Sequence, residues 1–177
     1  DRLFKFYNSR DFLNIEKDYG IFLSLDVSKC FDSIYTHSIG WATKSKENAK
    51  ENLRITSTFG QIFDSLMQQA NYNETNGILI GPEISRIFSE IIFQRIDSTV
   101  EQRLTKLNPP ARNKKDYTIR RYVDDIFIFA KTNEHARLIA DVYTEELNNY
   151  NLHVNRNKVI QYSRPFFSTK SRVITEA

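Results

Sequence analysis

One cysteine, Cys30, stands among 177 residues, which excludes an internal disulfide framework and fits a reducing cytosol. It directly precedes Phe31 and reads as a small packing residue rather than a nucleophile. The three histidines, His37, His135 and His153, lack the spacing of a zinc site. No apolar run approaches the length needed to span a membrane, and no signal peptide is visible, so no membrane partner is expected. Repeats and low-complexity tracts are absent too. A large excess of one charge is lacking: the formal net charge is +3, and a sequence pI near 8.9 permits a polyanionic partner without demanding one.

A hydrophobic content of 40% is enough for one domain with a real core. The sequence opens on Asp1 rather than Met, which predicts a piece of a longer protein. Its centre of organisation is Tyr117 to Ala130. Ile119 to Val123 is β-branched or aromatic at most positions, and Ile126 to Phe129 is apolar throughout, as in a strand buried on both faces. Asp124 and Asp125 lie between these runs, where a buried strand should hold no carboxylate. The economical reading is a β-hairpin with both acids at its tip. An ordinary solvent-facing turn is the alternative. Against it, strands this apolar place the tip at the edge of a core, where adjacent acids repel unless a cation holds them.

A second apolar run, Ile21 to Leu25, delivers Asp26. One acid leaving a strand and an acid pair on a later hairpin form the pattern of two-metal phosphoryl transfer, in which hard cations share carboxylate oxygens from separate rigid elements. Tyr122-Val-Asp-Asp125 resembles the Tyr-x-Asp-Asp box of reverse transcriptases. Asp26, followed five residues later by Phe31, resembles their first catalytic motif, and Gly77 to Arg86 occupies their second, in the right order. The segments Asp26 to Ile39 and Ile80 to Arg86 resemble the bacterial enzymes of abortive-infection and antiphage-defence systems more than retroviral or group II intron enzymes. The resemblance runs from about Phe4 to Arg164.

That resemblance implies an α+β fold: a polymerase palm, the reverse-transcriptase core, with an antiparallel sheet and helices packed on one face. It implies that residues 1–20 connect from a fingers region, that 21–164 form the palm, and that 165–177 begin a further C-terminal region. Asp26 and Asp124 would hold two Mg²⁺ ions, with Mn²⁺ as a substitute, assisted by the Val27 carbonyl; Asp125 would be closer to support. Lys158, in a segment similar to the fourth motif, would stand near the pyrophosphate as a general acid, or else flank the strand Val159 to Tyr162 as a surface residue. Tyr122 would meet the primer end. Phe31 would sit beneath the sugar and exclude a 2′-hydroxyl, or be a core aromatic. Lys29 would approach the triphosphate, or be a solvated lysine on a turn. Gly81 would let backbone approach a base pair or sugar. Ile80 departs from the glutamine that many members carry there and offers only apolar contact, or packs against the helix that follows.

The remaining expectations are local. Residues 1–20 are helical with a stop at Gly20. The Lys44 to Arg54 run is a solvated helix or loop. Phe59, Ile62, Phe63, Leu66 and Met67 mark a core-facing helix. Ile84, Ile87, Phe88, Ile91, Ile92, Ile96, Val100 and Leu104 mark the buried stripe of a long one that opens with Pro82 and Glu83 and ends before Pro109. Arg112 to Lys115 form a solvated loop, with phosphate contact as the other reading. Thr132 or Asn133 caps a further helix. The expected activity is RNA-directed DNA synthesis from dNTPs on a nucleic-acid primer and template of RNA and DNA, in a bacterial cytoplasm; an oligomer or partner chain is left open. Template-independent or protein-primed DNA synthesis is the second enzymatic reading, and a catalytically silent nucleic-acid-binding scaffold the third.

Overall fold

A computed structural model describes residues 2–7, 9–43, 58–164 and 166. The charged run Lys44 to Arg54 and nearly all of 165–177 lie outside the described residues. In chain order the elements are α1 (Arg2–Tyr7), α2 (Arg10–Asp18), β1 (Ile21–Asp26), α3 (Cys30–Ser33), α4 (Ser38–Thr43), α5 (Phe59–Ala70), α6 (Glu83–Thr105), β2 (Tyr117–Tyr122), β3 (Asp125–Ala130), α7 (Asn133–Asn149), a 3-10 turn (Arg156–Lys158) and β4 (Ile160–Ser163). They divide into two compact units. The first comprises Asp1–Asp26, Arg103–Val142 and Asn155–Ala177; the second comprises Val27–Gln102 and Tyr143–Val154.

The first unit is built on a four-stranded antiparallel sheet in the order β2-β3-β1-β4. The two most apolar strands take the centre, where both faces are covered, and β4, exposed at every position, takes an edge. The period of two puts Phe22, Phe127 and Phe129 on one face. They meet Phe12 and Ile15 of α2, Tyr19 at its C-terminal cap and Phe166, and Phe6 and Tyr7 of α1 border the cluster. Ring pairs such as Phe12–Phe129, 5.9 Å apart and edge to face, add geometry to area burial. Ser9 starts α2 by accepting the Phe12 N–H at 3.1 Å, and the Tyr19 hydroxyl donates to the Tyr117 carbonyl at 3.1 Å. Truncating Phe12 would remove the centre of this cluster, at a cost of about 3–5 kcal/mol.

Helices dominate the second unit. Gln61 Oε1 accepts both the Thr58 hydroxyl and its N–H at the start of α5. Phe63 and Met67 are buried, and Phe63 meets Phe88 of α6 edge to face at 5.0 Å. Here the expected stripes need correction. Phe59, Ile62 and Leu66 are exposed on α5, as are Ile84 and Ile87 on α6, so the buried stripe of α6 begins at Phe88 and continues through Ile92, Ile96, Val100 and Leu104. Helical spacing identifies a face, but burial also needs a partner over each turn of it. His37 pairs with Asp64, joining α4 to α5, and Asp64 also accepts from Gln68 at 2.7 Å.

Candidate active site

Register brings the acids together. Asp26, the last residue of β1, lies directly opposite Asp125, the first of β3, and Tyr122 lies opposite Asp125 from the other side. Like charges at directly opposed positions destabilise a sheet. The hairpin tip differs from expectation: its two central residues are Val123 and Asp124, while Asp125 already belongs to the ladder. Val123 has φ +56, a left-handed conformation that a β-branched residue rarely accepts, and the Arg121 guanidinium donates to its carbonyl at 3.1 Å. On the other flank the Asn155 N–H fixes the Asp26 carbonyl at 2.8 Å, and Lys158 Nζ reaches Asp26 Oδ2 at 3.1 Å. Lys158 is therefore tied to the acid group, although its side chain is mostly exposed.

The electrostatics follow from this crowding. Burial raises the pKa of Asp124; the Asp26 charge adds to the rise, while its own backbone N–H and Lys158 oppose it. Burial likewise raises Asp125, followed by repulsion from Asp124 and Asp26, again opposed by Lys158. Tyr7 is pushed up to about 12 by burial and then by the Asp125 charge. Tyr7 carried no signal in the sequence, because only tertiary folding brings α1 to the start of β3.

A pH-dependent prediction arises here. A carboxylate whose folded pKa exceeds its ordinary value of 3.8 contributes stability below that value and loses it as pH rises through the folded pKa. At neutral pH without a divalent cation, the ionised acids oppose folding. Asp125→Asn is expected to raise Tm at pH 7 by about 0.5–4 °C, corresponding to about 0.2–1 kcal/mol for relief of one opposed like-charge pair. The gain shrinks as pH is lowered toward 4, and thermal melts of both proteins across that range check it.

The remaining residues singled out in the sequence belong to the second unit. Val27 is buried and bridges to Val154. Lys29 is exposed with φ +45, Cys30 is buried as expected of a packing residue, and Phe31 is half-buried. The Phe31 carbonyl accepts the Ile78 N–H at 2.8 Å and the Ile34 carbonyl accepts the Gly77 N–H at 2.9 Å, which ties the second-motif segment to α3. Gly77 has φ +86, and a Cβ there would lie 3.2 Å from the Asp32 carbonyl oxygen. Gly81 has φ +118 with open space where a Cβ would be. Ile80 is 72% exposed, which overturns the expectation that it packs against the following helix. The structure thus unites Asp26, Tyr122, Asp124, Asp125 and Lys158 in one unit, and Val27, Lys29, Phe31, Ile80 and Gly81 in the other.

Among the described residues, no three His, Cys, Asp or Glu side chains enclose a metal position by themselves. The donor set nonetheless fits a hard cation: hard carboxylate oxygens, partly buried, mutually repelling, and relieved by one lysine.

An antiparallel sheet whose β2–β3 hairpin sets two adjacent acids beside a third on β1 is the palm of a nucleotide polymerase. The chain belongs to the reverse transcriptase (RNA-dependent DNA polymerase) family, whose model it matches over residues 1–170. A comparison with curated proteins found no match. Among solved structures, apo telomerase from Candida tropicalis, truncated from its C-terminal domain, is similar with a TM-score of 0.57 at 15% identity, covering 94% of this chain and 35% of that one. Telomerase from Candida albicans in complex with a fragment of telomeric RNA gives a TM-score of 0.57 at 16% identity, covering 94% of this chain and 30% of that one. Identity this low speaks to the fold alone. The chain spans about a third of the length of these telomerases.

Proposed function

We propose that this chain is the catalytic palm of an RNA-directed DNA polymerase that adds dNTPs to a primer 3′-hydroxyl, of the bacterial antiphage-defence branch. The observation that carries the reading is the register placing Asp26 opposite Asp125, with Asp124 at the adjoining turn and Lys158 on Asp26. Two Mg²⁺ ions would be held by Asp26 and Asp124, assisted by the Val27 carbonyl and supported by Asp125. Such ions supply Lewis-acid activation of the attacking hydroxyl and neutralise charge on the triphosphate. The chain's own residues do the rest. The acids fix where the cations sit, Lys158 holds a proton for the leaving pyrophosphate, and Tyr122, exposed beside the acids, faces the primer end. Antiphage defence is supported by the wording of Asp26 to Ile39 and Ile80 to Arg86.

Incorporation of labelled dNTPs by the full-length protein, with and without an added RNA template, tests the reading; no incorporation under either condition would refute it. Exposed Ile80 favours a second reading, loose or template-independent synthesis, because an apolar side chain checks base-pair geometry less strictly than a hydrogen-bonding one. Faithful, full-length copies of a defined template would exclude that reading.

Phe31 separates two roles by a direct measurement. If it lies beneath the sugar, Phe31→Ala raises ribonucleotide use relative to deoxyribonucleotide use by at least about tenfold, the lower end of what shape discrimination in a pocket supplies. A purely structural Phe31 instead lowers stability and leaves sugar preference unchanged. Its half-buried side chain leaves room for the first role.

A further inference from the structure

At the end of the sheet away from the acids, the chain builds a basic corner. Arg112, Lys114 and Lys115 precede β2, and Lys131 follows β3; all four are exposed. The loop is held by its own backbone. The Arg112 carbonyl accepts from Lys115 at 3.2 Å and from Asp116 at 2.9 Å, the Lys114 N–H donates to the Tyr117 carbonyl at 2.7 Å, and the Lys131 N–H donates to the Asp116 carbonyl at 3.1 Å. Asp116, the acid within this loop, turns Oδ2 inward to the Arg112 N–H at 2.9 Å. Glu134, in the first turn of α7, is the nearest exposed acid along the chain. Arg164, which follows β4, lies at the same end, since its N–H donates to the Gly20 carbonyl at 2.9 Å, while its guanidinium donates to the Glu16 and Lys17 carbonyls at 3.3 and 3.0 Å.

From this arrangement we infer that Arg112, Lys114, Lys115 and Lys131 form a contact for the phosphate backbone of nucleic acid, engaging the strand whose reacting end lies at the acids. The inference rests on the proposed polymerase reading for the placement of that end. Six-residue strands separate the two ends of the hairpin by about 20 Å. At roughly 3.4 Å per nucleotide, a strand starting at Asp26 and Asp124 reaches the corner after about six nucleotides. A loop pinned by backbone hydrogen bonds surrenders little entropy on binding, which favours it over a mobile lysine tail.

The test is fluorescence anisotropy on the full-length protein and on its Lys114→Ala, Lys115→Ala, Lys131→Ala triple variant. The probes are labelled single-stranded DNAs of 6 and 18 nucleotides, titrated between 50 and 200 mM salt. The 18-mer is expected to bind the variant at least about tenfold more weakly at 100 mM salt, and the slope of log K against log salt falls by about 2, at about 0.7 for each phosphate no longer neutralised. The 6-mer binds both proteins alike. Equal affinity and slope on the 18-mer would overturn the contact, and an equal loss on both lengths would overturn its placement beyond the sixth nucleotide. Poly-glutamate displacing the 18-mer as effectively as unlabelled DNA would assign the corner to an acidic polypeptide instead. Binding needs no turnover, so a protein that incorporates no nucleotide yet shows the length-dependent loss refutes the polymerase reading and leaves the corner standing.

Discussion

Asp124→Asn is expected to abolish nucleotide addition, by at least about 10³-fold, in a protein that melts at or above the parent's temperature. The substitution keeps the volume at the hairpin tip and removes one charge. That charge is a liability to the fold, since burial and the neighbouring Asp26 both disfavour the ionised form. It is also the charge that a bound cation requires. Metal stabilisation of transition-state charge contributes several kcal/mol, and each 1.36 kcal/mol is a factor of ten in rate, so a loss of three orders of magnitude or more follows. Asp26→Asn should inactivate to the same extent with little change in melting, because its ion pair with the mostly exposed Lys158 contributes about 0–1 kcal/mol. Primer extension and thermal melts on the same preparations check both variants. Near-normal incorporation by either one would sink the two-metal assignment.

The residues that were legible in advance are those whose signal is local. Apolar runs on either side of Asp124 and Asp125 announced a hairpin, and Ile21 to Leu25 announced the strand beside it, because period-two burial is written in adjacent residues. The turn itself was misplaced by one residue. Propensity assigns an acid pair to the tip, whereas the chain puts Val123 at positive φ and lets Asp125 pair across to Asp26. The exposure of Phe59, Ile62 and Leu66 was illegible for another reason: their spacing is that of a buried stripe, and what lies over each turn is a tertiary fact. The coupling of Tyr7 to Asp125 is tertiary as well. Lys158 came from likeness to a motif, and its contact with Asp26 spans 132 positions that no periodicity connects.

Lys158→Ala is expected to lower the rate of nucleotide addition by about 10²–10⁴-fold, the range that a positioned general acid contributes. Two roles have to be separated. Lys158 neutralises the acids, since its charge lowers the pKa of both Asp124 and Asp125 and its ammonium sits 3.1 Å from Asp26. In the proposed mechanism it also gives a proton to the leaving pyrophosphate. Lys158→Arg keeps the positive charge and reach but not the proton, because a guanidinium stays charged throughout the working range. If neutralisation is the whole of its role, arginine restores most of the rate and all of the stability. If proton transfer matters, arginine restores the melting temperature while the rate stays within about tenfold of the alanine variant. A flat comparison, with alanine as active as lysine, would reduce Lys158 to a surface residue beside β4. Stopped-flow single-turnover rates, read against melting curves of the same three proteins, distinguish these outcomes.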